Sequence, residues 1–139
     1  MIDVKVTQFF DRATVIEKVR DGTKSTLAKA GAFVRTRARS LLRRRKRSAQ
    51  PGQPPSDHGG YLKRWIFFAY EAATQSVVIG PRLFRSSRPT VPQLLEGGGE
   101  IARHRSSGKP ATYSKFPFME PALEAERPKF PELFSDVVK

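Results

Sequence analysis

The sequence predicts an α+β fold: a long N-terminal helix and short C-terminal helices packed on an antiparallel β-sheet. Three observations lead there. Apolar residues from Ile16 to Leu41 recur with a helical period, the runs 62–70 and 76–80 have strand composition and lie a hairpin's length apart, and helical spacing returns after Phe116 between prolines. At 139 residues with 38% hydrophobic content, the chain reads as a single domain, 1–139, able to bury one core.

Ile2, Val4 and Val6 alternate with Asp3, Lys5 and Thr7, the period of a strand or strand-like arm over residues 1–8. Asp11 follows as an N-cap for a helix starting near Arg12. Advancing about 100° per residue, Ile16, Val19, Leu27, Ala30, Val34, Ala38 and Leu41 fall within roughly 60° of one direction, a stripe expected to be buried. The stripe keeps its phase across Asp21-Gly22, so one long helix is expected, bent or weakened at Gly22. Arg45 would fall back on the stripe, which puts the helix end near Arg44.

Residues 46–60 have turn and polyproline chemistry and are expected to form an extended surface loop. Leu62 to Tyr70 reads as a strand, with Trp65, Phe67 and Ala69 on one face, Arg64, Ile66, Phe68 and Tyr70 on the other, and both faces covered. Ser76 to Gly80 supplies its antiparallel partner, stopped by Pro81. Arg82 to Pro89 is basic and rich in turn residues. Val91 to Glu96 makes a short helix or turn ended by Gly97-Gly98-Gly99. Glu100–Arg105 and Ala111–Lys115 pair as a second hairpin, Ala122–Arg127 is helical, and Pro128 starts a further turn carrying Phe130, Leu133, Phe134 and Val137.

Composition narrows the function. Lys+Arg 26 against Asp+Glu 13 gives a net charge of +13, which favours a polyanion or the acidic surface of another protein as partner. No cysteine is present, which removes disulfides and thiolate metal sites. No run approaches the roughly 20 apolar residues of a membrane span, and the N-terminus lacks a basic region followed by an apolar one. An intracellular, soluble protein without membrane contact is expected.

Chemistry-bearing patterns are sparse. His58 and His104 lack a ligand partner at metal-binding spacing. Ser56-Asp57-His58 has the residue types of a catalytic triad, but adjacent positions in a loop do not arrange nucleophile, base and orienter. Glu96 and Glu100 could form a carboxylate pair, with nothing in the sequence to split their pKa values. Gly97–Gly99 and Ser107-Gly108-Lys109 lack the complete phosphate-loop pattern. The expectation is no enzyme, no cofactor and no metal.

The basic run stands apart. Arg35, Arg37, Arg39, Arg43, Arg44, Arg45, Lys46 and Arg47 fall within thirteen positions. Such density is electrostatically costly unless something negative lies nearby, and arginine suits bidentate contacts with phosphate or carboxylate. No aromatic residue is interleaved, so base stacking is not indicated. Arg35, Arg39, Arg43, Arg44, Arg45, Lys46 and Arg47 are the candidate polyanion or partner-docking residues. Phe116, Phe118, Met119 and Leu123 form a separate apolar cluster, dense enough to anchor the C-terminal segment.

Four blocks in order, Arg43–Ser56, Ser76–Pro81, Val91–Gly99 and Phe116–Leu123, resemble a tailed-phage neck or tail-completion family, the head-to-tail connector proteins. The resemblance spans most of the chain. It implies a long N-terminal helix on an antiparallel sheet and a homo-oligomeric ring between the portal/adaptor complex and the tail. The partners implied are the adaptor, tail terminator or tail tube, with nonspecific contact to genomic DNA in the channel. The location implied is the virion neck, after assembly in the host cytoplasm, and the role is structural with no catalysis. The alternative from the residues alone is a cellular nonspecific nucleic-acid-binding protein, for which the charge would suffice.

Overall fold

The structure, a computed structural model, describes residues 11–82, 91–101, 108–135 and 137. The expected arm at 1–8, most of the basic turn 82–89 and the tip of the second hairpin lie outside them. The fold is α+β, as the sequence predicts.

Helix α1, Arg12–Leu41, starts where Asp11 caps it: the Asp11 carboxylate accepts from the Thr14 N–H at 3.2 Å and from the Thr14 hydroxyl at 2.6 Å. It runs through Gly22 as 30 helical residues, about 45 Å. Its buried stripe is Thr26, Ala30, Gly31, Val34 and Ala38, with Leu41 packed against the core. Ile16 and Val19 are not buried: they are 53% and 41% exposed, and every residue from Arg12 to Asp21 is exposed. Periodicity identifies the apolar face of a helix, but not how much of its length the body covers.

The helix also stops three residues short of the expected end. Leu42 turns to extended backbone and is only 1% exposed, packed with Ile66 and Phe118. Leaving the helix there gives the core a leucine that the helical phase would have put on its flank. Arg43 then bridges Ser56 in parallel, and its carbonyl accepts from the Asp57 N–H at 3.1 Å. The loop between them therefore closes on itself.

Residues 62–64, expected to be strand, belong instead to a helical turn, α2 (Tyr61–Arg64). Gly60 enters it with positive φ, and the buried Asp57 carboxylate accepts from the Lys63 N–H at 2.9 Å. These local bonds outweigh the strand preference of the side chains. Strand β1, Ile66–Glu71, pairs antiparallel with β2, Ser76–Pro81, in the register Phe68↔Ile79. The hairpin is covered on one face only. Ile66, Phe68 and Tyr70 point inward, whereas Phe67 is 45% exposed and Val78 60% exposed, because α1 supplies a single covering layer. Gly31 permits this contact: a Cβ there would meet Val77 Cγ2 at 2.8 Å and Phe68 Cδ2 at 2.9 Å.

Helix α3, Val91–Gly97, ends at Gly98, whose φ is +66°. Strands β3, Gly99–Ile101, and β4, Ala111–Tyr113, pair antiparallel as expected, but among the described residues they form a second two-stranded sheet separate from the first. Helix α4, Met119–Glu126, starts three residues before the expected Ala122, and a 3-10 turn at Arg127–Lys129 leads into α5, Phe130–Ser135. Both C-terminal helices pack on α1. The core consists of Val34, Ala38, Leu42, Ile66, Phe118 and Ala122. Among the described residues no helix is long and apolar enough to cross a membrane.

Candidate functional site

The basic run divides in two when it folds. Arg35 and Arg37, still in α1, face the body. Arg35 Nε donates to the Ile66 carbonyl at 2.9 Å, and Arg37 Nε lies 3.6 Å from the carboxylate of Glu126. Glu126 is buried and is also met by Lys129 Nζ at 2.5 Å. Two cations around one buried carboxylate compensate its loss of hydration. Arg35, a candidate docking residue by sequence, thus holds α1 to β1.

Arg43, Arg44, Arg45, Lys46 and Arg47 are exposed and Arg39 half-buried. None of the six forms an ion pair with any described residue. The loop that carries them is nonetheless fixed. Besides the Arg43–Ser56 bridge, the Ser56 hydroxyl donates to the Arg47 carbonyl at 2.9 Å, and the Gly52 N–H donates to the Lys115 carbonyl at 2.8 Å. A tethered loop displaying five adjacent cations presents a localised positive surface, which suits a polyanion or an acidic protein face.

The C-terminal cluster is placed unevenly. Phe118 is fully buried, Met119 and Phe116 are half-buried, and Leu123 is 41% exposed, on the rim of a groove between α1, β2 and the C-terminal helices. What fixes this segment is a residue with no such role in the sequence reading. The Glu96 carboxylate, at the end of α3, accepts from the backbone N–H groups of Phe118 at 3.0 Å, Met119 at 3.1 Å and Glu120 at 2.8 Å. Phe118 contributes no side-chain cap to α4, so a carboxylate from a distant helix satisfies its first orphan donors. A Pro117-Phe118-Met119 entry without Ser, Thr, Asp or Asn was the available signal that the cap lies elsewhere. Leu95 adds to the junction, its carbonyl accepting from the Phe116 N–H at 2.6 Å.

His58 is exposed in its loop, and Asp57 beside it is engaged with Lys63. Glu96 is committed to α4, while Glu100 sits exposed on β3, so the two do not act as a carboxylate pair. Among the described residues no group of three His, Asp or Glu side chains is placed to hold a metal ion. Comparison of this chain with protein-family models, with curated proteins and with solved structures gives no match.

Proposed function

We propose that this chain is a structural virion protein of the phage head-to-tail interface, whose copies form a ring joining the portal/adaptor complex to the tail around the DNA channel. Its partners are further copies of itself and the adjoining adaptor, tail terminator or tail-tube proteins. The observation that carries this reading is the tethered basic loop, with Arg43 to Arg47 exposed and without ion pairs among the described residues, held at the end of α1. The four ordered sequence blocks support it, because they also meet in space. Loop 43–56 bonds to Lys115 beside Phe116, Leu95 and Glu96 bond to residues 116–120, and Pro81 faces Phe118 and Met119 across a small cavity.

Sedimentation and negative-stain microscopy of the purified chain test this reading. Closed rings are the expected result. A monomer at all concentrations that binds DNA without sequence preference would favour the cellular nucleic-acid-binding alternative.

A further inference from the structure

No aromatic residue is interleaved with the basic run in sequence, yet the fold sets aromatic side chains next to it. The Asp57 N–H donates to the Arg43 carbonyl at 3.1 Å, and the Asp57 carboxylate accepts from the Lys63 N–H at 2.9 Å, so α2 adjoins the root of the basic loop. Tyr61 and Trp65 stand four residues apart across that turn, and the Trp65 N–H donates to the Tyr61 carbonyl at 3.1 Å. This spacing puts both side chains on one side of the turn. Trp65 leads on to Phe67: their ring centroids are 6.2 Å apart, with the planes inclined at 63°.

This row faces solvent. Tyr61 is 70% exposed, Phe67 is exposed on the outer face of β1, and Trp65 is half-buried. Phe67 pairs across the hairpin with Gly80, where an added Cβ would meet no described atom within 4 Å, which leaves room beside the Phe67 ring for a planar group. Cations border the row. Arg82 Cζ lies 6.0 Å from the centre of the Trp65 ring, and Lys63 and Arg64 are exposed on α2. None of the three forms an ion pair with any described residue. The acid of the hairpin, Glu71, sits at the opposite end of β1.

We propose that Tyr61, Trp65 and Phe67 form a stacking row for single-stranded nucleic acid, with Arg64 and Arg82 meeting its phosphates. Every base offers a π-face, so aromatic side chains set in a positively charged surface hold a single strand without reading its sequence. The charge selects this occupant over an apolar protein face: cations border the aromatic end, the hairpin's acid is remote, and the adjoining basic loop adds to the attraction for a phosphate chain. In a duplex the bases are stacked on one another and give the row nothing to hold. The site therefore selects single strands and leaves a double-stranded genome ungripped. It stands apart from the ring reading, which requires neither Trp65 nor Phe67.

Trp65 is the sole tryptophan of the chain, so its fluorescence reports on the row directly. Titrating the native chain with a short oligothymidylate should quench that emission saturably, whereas a duplex of the same length should leave it nearly unchanged. Phe67→Ala and Tyr61→Ala, both at exposed positions, should each weaken single-strand binding by about 5- to 100-fold, the loss of one stacked base, with circular dichroism unchanged. Phe67→Leu keeps an apolar side chain without the π-face and should weaken binding nearly as much. Serine at Arg43 to Arg47 should lower the affinity and its salt dependence while keeping the quenching at saturation. Absence of binding, binding without quenching, equal quenching by the duplex, or undiminished affinity in Phe67→Leu would each overturn the stacking row and leave the ring reading standing. Loss of a native oligomer in Tyr61→Ala and Phe67→Ala, with no binding of oligothymidylate by the native chain, would assign the face to a second copy instead.

Discussion

Both oxygens of the Glu96 carboxylate lie 3.1 Å from the backbone nitrogen of Met119, 23 residues further along the chain. This one side chain ties the end of α3 to the start of α4 and seats Phe118 in the core. Glu96→Ala should therefore destabilise the protein by about 1–2 kcal/mol, the upper part of the range for losing a helix cap. Glu96→Gln keeps an acceptor oxygen but loses the charge, and should cost less. Urea unfolding of the two variants checks the order, and equal losses would show that packing, not capping, sets the effect.

Truncating the C-terminal cluster should give a graded series. Phe118→Ala removes a fully buried ring and is expected to cost about 3–5 kcal/mol. Met119→Ala should cost less, because Met119 is only half-buried. Leu123→Ala, at the groove rim, should leave monomer stability within about 0.5 kcal/mol of the parent. Chemical denaturation at a concentration where the protein is monomeric measures all three, and a flat series would contradict the burial pattern.

Two glycines in α1 should respond with opposite sign to alanine. Helix propensity favours alanine at both by about 1 kcal/mol. At Gly31 the new methyl would lie 2.8 Å from Val77 Cγ2 and 2.9 Å from Phe68 Cδ2, and overpacking of this kind costs about 1–3 kcal/mol. A net loss is expected there. At Gly22 the nearest atom is Val137 Cγ1 at 3.0 Å, a single side-chain methyl that need give by only a few tenths of an ångström, so a net gain is expected. Melting temperatures of the two variants decide it.

The Asp11 cap predicts a pH dependence. Its hydrogen bonds from the Thr14 hydroxyl and then the Thr14 N–H hold the carboxyl below its ordinary value near 3.8. A carboxylate with a lowered folded-state pKa contributes stability above its unfolded value, and that contribution is lost as pH falls through the folded value. The first turn of α1 should therefore fray in acid while the core helix persists. Amide exchange of residues 14–18 measured down the acid limb checks this, and Asp11→Asn, which retains an acceptor, should remove the dependence.

Much of this architecture was legible because it rests on local periodicity. The phase of Leu27, Ala30, Val34 and Ala38, the hairpin of β1 and β2, and the glycine stop after Glu96 are each written in a few adjacent residues. Non-local choices were not. Leu42 leaves the helix for a core place defined by Ile66 and Phe118, and residues 62–64 turn helical around a carboxylate from Asp57. Glu96 caps a helix more than twenty residues away, and Arg35 gives its donor to Ile66. In each case the partner is brought near only by the finished fold. The basic run could be recognised as a unit, but its division between fold and surface depends on where α1 stops.

That division sets the last prediction. Arg35→Ala should cost stability, about 1–3 kcal/mol for a charged donor lost from a carbonyl in a part-buried site. Serine at Arg43, Arg44, Arg45, Lys46 and Arg47 should cost little stability, since these side chains are exposed and form no ion pair with any described residue. The loss should fall on partner binding. If the loop grips DNA, each phosphate contact adds about −0.9 to the slope of log affinity against log salt, so removing five cations would flatten it by as much as about 4.5. If it docks on an acidic protein face, tail joining should fail in the variant, and substitutions in particular acidic residues of the partner should reproduce that failure. On the proposed head-to-tail role, the docking outcome is the expected one. A channel wall that held the genome through many arginines would retard its ejection, whereas a tethered loop at the end of a long helix is well placed to meet a neighbouring protein. Normal tail joining accompanied by loss of DNA affinity would reverse this assignment.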